Sequence, residues 1–130
     1  MSEDSRSPIG TLASFSVQCA DAPALADFYR RLVGGREVFR APDDSVVSVA
    51  VGEVFVTAMR VDDYQRPTWP DPGGPGLVHL DIAVDELVDS VVAAEALGAV
   101  LAEVQPQPAL FRVLLDPAGH PFCLSTARPD

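Results

Sequence analysis

One order of signals occurs twice along this chain: a strand with an apolar and a polar face, an acidic residue, a helix, and a glycine that stops it. In the first copy Phe15, Val17 and Cys19 alternate with Ser14, Ser16 and Gln18, the period of two that a half-buried strand shows. Asp21 then offers a helix cap and Pro23 suits a first turn, where its missing N–H costs nothing. Leu25, Phe28, Tyr29 and Leu32 recur at helical spacing before Gly34-Gly35. In the second copy Leu80, Ile82 and Val84 alternate with His79, Asp81 and Ala83 within the stretch Leu77 to Asp85. Asp85 stands as the cap, Leu87, Val88, Val91, Ala94 and Leu97 form a helix face, and Gly98 is the stop. Matching Asp21 to Asp85 also matches Gly34 to Gly98, so the two halves read as copies of one strand-helix-strands unit.

The remaining segments complete each copy. Glu37 to Arg40, Ser45 to Val51 and Val54 to Val61 read as three strands of an antiparallel meander, parted by Pro42-Asp43-Asp44 and Gly52-Glu53. Val100 to Val104, Leu110 to Leu115 and Pro121 to Thr126 follow the second helix, the last two joined by the turn Asp116-Pro117-Ala118-Gly119-His120. Between the copies, residues 62–76 hold Pro67, Pro70, Pro72 and Pro75 with three glycines, a composition that excludes a central strand or a helix. The organisation expected is a disordered terminus over residues 1–10 and a single domain over 11–130. Its modules span about 11–61 and 77–127, with 62–76 as linker or lid.

A chain of 130 residues, 48% of them hydrophobic, is long enough to bury one core. Its formal charge of −10 argues against nucleic acid and anionic membranes as partners, since both need clustered Lys and Arg. With two cysteines, no apolar run of about 18 residues and no basic-then-apolar leader, the expectation is a cytoplasmic protein without disulfides. No P-loop, dinucleotide glycine fingerprint or Gly-x-Ser-x-Gly elbow occurs.

On a strand, His79 and Asp81 are neighbours on one face, roughly 6 to 7 Å apart along the chain. His79 can be a hydrogen-bonding cavity residue, a general base oriented by Asp81, or a metal ligand. Asp81 can bind a substrate amine, or pair with Arg112 or a helix-end donor. Cys123 can be a nucleophile, a soft ligand or a small buried hydrophobe. Trp69 can stack on a ligand or pack against the rim or a dimer partner, and Arg112 can meet a ligand carboxylate or form a surface ion pair. Ser14, Ser16 and Gln18 form the polar face of the first strand, and His120 is expected to be exposed in its turn.

The two units, the acidic cap after each first strand, Asp27-Phe28-Tyr29 and Asp116-Pro117-Ala118-Gly119-His120 together resemble the vicinal oxygen chelate superfamily. Its members include glyoxalase I, bleomycin-resistance proteins and extradiol dioxygenases. Pro67-Thr68-Trp69-Pro70 followed by His79-Leu80-Asp81 looks like the glyoxalase-like branch common among actinobacteria. The resemblance covers roughly Leu12 to Ser125. It implies an α+β fold in which two βαβββ modules form a curved-sheet cavity, and a homodimer.

In metal-dependent relatives four inward strand positions hold a divalent ion. The resemblance puts the first at Ser14, the third at His79 and the fourth at Cys123, with the second somewhere on the Val54 to Val61 strand. That strand has no carboxylate or histidine, so His79 is the one conventional ligand, and no resident cofactor is expected. Should a divalent ion bind, His79 is its ligand. The leading expectation is a small-molecule binding protein, or an enzyme of unassigned reaction, with Ser14, Ser16, Gln18, Trp69, His79, Asp81, Arg112 and Cys123 as candidate ligand contacts. The alternatives are a metal-dependent lyase or dioxygenase, with His79 and Asp81 catalytic, and an antibiotic-sequestering protein whose acidic balance favours a cationic drug.

Overall fold

A computed structural model describes residues 8–70 and 79–126. The first module runs β1 (Ser14–Cys19), α1 (Ala22–Val33), β2 (Arg36–Arg40), β3 (Val46–Val51) and β4 (Val54–Arg60). The second runs β5 (Leu80–Ala83), α2 (Leu87–Ala96), β6 (Val100–Leu101), β7 (Phe111–Leu115) and β8 (Pro121–Ser125). Each module is a four-stranded sheet, ordered β1-β4-β3-β2 and β5-β8-β7-β6. In both, the first strand pairs parallel to the last and the other pairs are antiparallel. The duplicated βαβββ architecture expected from the sequence is therefore the architecture observed.

The first module follows its local signals closely. The Asp21 side chain accepts from the Ala24 N–H at 3.0 Å, an N-cap contact worth about 1 kcal/mol. Gly34 closes α1 in the left-handed conformation with φ 77° and returns its N–H to Arg30. Gly35 then passes so close to β3 that an added Cβ would lie 2.5 Å from Val49 Cγ1 and 2.7 Å from the Ala50 carbonyl oxygen. A side chain there would force the end of α1 off the sheet.

The second module departs from its signals in two places. The cap of α2 is Glu86, not Asp85, and its side chain makes no capping bond. The reason lies one step earlier: the Val84 N–H still reaches the Ser125 carbonyl at 2.8 Å, so the chain stays extended past β5 before it turns. The strand expected over Val100 to Val104 is only Val100–Leu101. Beyond it the Gln105 side chain takes the place of backbone, its Nε2 donating to the Ala102 and Val113 carbonyls and its Oε1 accepting the Val113 N–H. Leu77, Val78, Pro72 and Pro75, together with residues 1–7 of the terminus, lie outside the described residues.

One apolar core joins the modules. Phe28 and Tyr29 of α1 meet Phe122 of β8 with ring centroids 5.8 and 6.4 Å apart in tilted, edge-type contacts. Such pairs contribute about 1 kcal/mol each beyond their burial. Val47, Val49, Val56 and Ala58 face the same core, so residues of the opposite parity are left to the other side of the first sheet. In the second sheet Leu80, Ile82, Phe122 and Leu124 point to the core, while Asp81, Ala83, Cys123 and Ser125 take the opposite face.

Candidate functional site

The alternation along β5 puts Asp81 on the face away from the core, and His79 just before the strand shares it. His79 Nε2 lies 3.3 Å from Asp81 Oδ1, and β8 brings Cys123 opposite Asp81 in register. Ligand atoms of the three lie within 4.8 Å of one another. Burial, together with the charge and hydrogen bond of Asp81, pushes the Cys123 thiol up to about 11, so at neutral pH it is a neutral S–H facing a carboxylate. These residues line a cavity of about 410 Å³ with Ala83, Phe111 and Ser125, a size suited to a small organic molecule.

His79 also lines a second cavity, of about 310 Å³, on the seam between the modules. Ser16 and Gln18 of β1, Tyr29 of α1, and His120 and Pro121 share its lining. His120 is half-buried rather than exposed, because its turn is tied inward. Its Nε2–H donates to the Gln18 carbonyl at 2.7 Å and lies 3.0 Å from the Tyr64 hydroxyl, which itself donates to the Ala118 carbonyl. The turn is held from within by Asp116, which is 1% exposed. Its Oδ1 accepts the N–H groups of Ala118 and His120, and its Oδ2 accepts the Tyr29 hydroxyl at 2.6 Å.

The outer face of the first sheet carries a different group. Ser14 Oγ lies 2.9 Å from Thr57 Oγ1, and Ser48 Oγ lies 2.8 Å from the same hydroxyl. Thr57 pairs with Ser16 as Cys123 pairs with Asp81, which makes it the counterpart of Cys123 and resolves the register of β4. Ser14 likewise stands seven residues before the Asp21 cap, as His79 stands seven before Glu86. The four equivalent positions are thus Ser14, Thr57, His79 and Cys123. Their donors are two neutral hydroxyls bonded to each other, one imidazole and one protonated thiol. A hard divalent ion prefers several carboxylate or imidazole ligands, and this set does not fit one.

The other candidates fall outside the two cavities. Trp69 packs against the small apolar cluster of Ala102, Val113 and Cys123 and points its Nε1 at the Val104 carbonyl, 3.5 Å away, so it braces the second sheet. Arg112 is in register with Leu124 on the core-side parity of β7, and its Nε donates to the Pro108 carbonyl at 2.8 Å. The structure does not bring it to Asp81. Phe111 and Ser125 were missed by sequence reasoning, although the parity of Cys123 points to Ser125 and Phe111 is its register partner.

A family model described as a glyoxalase-like domain matches residues 14–125. None of the curated protein sequences matches the chain. Among solved structures, it is similar to a glyoxalase/bleomycin resistance protein/dioxygenase family enzyme from Burkholderia phytofirmans PsJN, at 22% identity and TM-score 0.67, over 88% of this chain and 97% of that one. A variant of the fosfomycin resistance protein FosX from Listeria monocytogenes, complexed with Mn(II) and 1S,2S-dihydroxypropylphosphonic acid, matches at 14% identity and TM-score 0.68, over 94% and 93%. A lactoylglutathione lyase from Agrobacterium tumefaciens matches at 20% identity and TM-score 0.60, over 92% and 95%. At these identities the likeness to the three structures is one of fold.

Proposed function

The chain belongs to the glyoxalase-like domain family of the vicinal oxygen chelate superfamily, and on that premise we propose that it binds a small organic molecule without the four-position metal site of its metal-dependent relatives. The observation that supports this reading is the Ser14–Thr57–Ser48 hydroxyl cluster, in which Ser14 and Thr57 are the counterparts in the first module of His79 and Cys123. The binding cavity is the one over β5 and β8, with His79 and Asp81 as its polar anchors and Phe111 as its apolar wall. Any reaction there would use His79 as a base oriented by Asp81, with the substrate proton within hydrogen-bond reach of the imidazole. The test is a titration of metal-stripped protein with manganese and nickel, followed by a small-molecule screen by ligand-observed NMR. Ligand binding to metal-stripped protein supports the proposal; a stoichiometric, tightly held manganese ion requiring His79 overturns it.

A second reading rests on the closeness of His79, Asp81 and Cys123, whose donors are near enough to gather around one soft divalent ion. The thiol would have to give up its proton on binding. Zinc binding that releases protons and is lost in Cys123→Ser would favour this metal-dependent alternative, and with it a lyase or dioxygenase chemistry. We also propose that the chain forms a homodimer.

A further inference from the structure

We infer that the cavity over β5 and β8 selects organic cations, taking an ammonium group at Asp81 with an apolar body against Phe111. The inference rests on the binding reading above and names the ligand class of that same cavity. Its first support is what the walls lack. All nine basic residues of the chain are arginines, and none of those described lines this cavity or the one on the module seam. Arg30 and Arg31 pair with Asp27, Arg40 with Glu37, and Arg60 with Asp43. Arg66 donates to the Pro117 carbonyl and Arg112 to that of Pro108. An anionic ligand entering here would give up hydration and meet Asp81 with no arginine to compensate it.

The second support is what the walls hold. Asp81 is the one carboxylate on the lining, and its side chain is 72% exposed. It receives His79 at 3.3 Å and faces the Cys123 thiol, yet a carboxylate has about four lone-pair sites, so acceptor capacity remains for an entering N–H. Phe111 adds an aromatic wall against which the apolar body can pack. The formal charge of −10 over the chain raises the local concentration of cations and lowers that of anions. The phosphonic acid held with Mn(II) in the FosX complex is of the opposite charge class.

The experiment uses three ligands with one phenylpropyl body: phenylpropylamine, phenylpropanol and phenylpropanoate. They are titrated at neutral pH into the full chain, with dissociation constants read from amide shifts in NMR spectra and from fluorescence of Trp69, the single tryptophan. The amine is expected to bind roughly fivefold more tightly than the alcohol, the scale of a partly exposed ion pair, and the carboxylate most weakly. Asp81→Asn should abolish the preference for the amine over the alcohol, read as the ratio of their two dissociation constants. Phe111→Ala should weaken all three, which locates binding to this cavity. A carboxylate that binds as well as the amine, or an amine preference that survives Asp81→Asn, overturns the charge assignment while leaving the cavity a binding site. No binding by any of the three overturns the charge assignment and counts against the binding reading itself.

Discussion

The Tyr29 hydroxyl and the Asp116 carboxylate, 87 residues apart, meet at 2.6 Å where the two modules join. The contact is buried, and burial together with the carboxylate charge holds the tyrosine far above its ordinary ionisation range. Tyr29→Phe removes a hydrogen bond to a charged acceptor but leaves Asp116 its two backbone donors. A loss of about 1.5 to 3 kcal/mol is expected. Urea unfolding should show it as a lower midpoint with one transition and an unchanged slope; two separated transitions would mean that the modules fold independently of this contact.

Cys123 should behave as an inert thiol despite facing a cavity. With its ionisation raised to about 11, its thiolate fraction at pH 8 is roughly a hundredfold below that of an ordinary cysteine. In a Cys19→Ser background, iodoacetamide should therefore label the folded protein far more slowly than the unfolded chain. Asp81→Asn removes a negative charge that disfavours the thiolate, so it should lower the ionisation point and speed labelling. Stability carries the same sign: the contribution of this thiol is full below about pH 9 and is lost as pH rises to about 11, because the unfolded thiol ionises first.

The outer face of the first sheet carries exposed apolar side chains on β2 and β4. Phe39, Phe55 and Met59 are exposed, and their register partners place them on the same face as Ser48 and Thr57. Covering these side chains with a second copy of the chain is the expected arrangement, since exposed apolar surface favours association. Light scattering at micromolar concentration should give twice the chain mass of 13.8 kDa, and Phe55→Glu should reduce it. A monomeric wild type would remove the homodimer.

Gln105→Ala should open the edge of the second sheet. The change frees the Val113 N–H and removes the Nε2 donor from the Ala102 and Val113 carbonyls, the latter keeping the Ala102 N–H. Hydrogen exchange at the Val113 amide should accelerate, and stability should fall by about 1 to 3 kcal/mol. Trp69, which packs on Val113, should shift its emission to the red. If exchange at Val113 is unchanged, the glutamine does not serve as part of the ladder.

Much of this was legible in the sequence wherever a local period or cap carried it. The alternation of β1 and β5, the Asp21 cap and the Gly34 stop all reflect short-range physics, and so does the pairing of His79 with Asp81 on one face. The position of Thr57 was not legible, because β4 is apolar on both faces over much of its length and only pairing with β1 fixes its register. Glu86 replaced Asp85 as cap because Val84 remains bonded to Ser125, a long-range contact that no cap propensity contains. The face that Arg112 takes likewise depends on a long-range pairing, with Leu124, and His120 looked like a turn residue until Gln18 and Tyr64 came within reach.

The four residues of β5 have a consequence for how such a cavity can change over evolutionary time. Core residues and cavity residues alternate there one by one, Leu80 and Ile82 against Asp81 and Ala83. A single insertion or deletion in the strand would turn the carboxylate into the core and the leucine out of it, so the reading frame of the strand is frozen by stability. Substitution at Asp81 or Ala83 has no such penalty, since both side chains project away from the packed side. New chemistry can be written into this strand one letter at a time, but only in alternate letters.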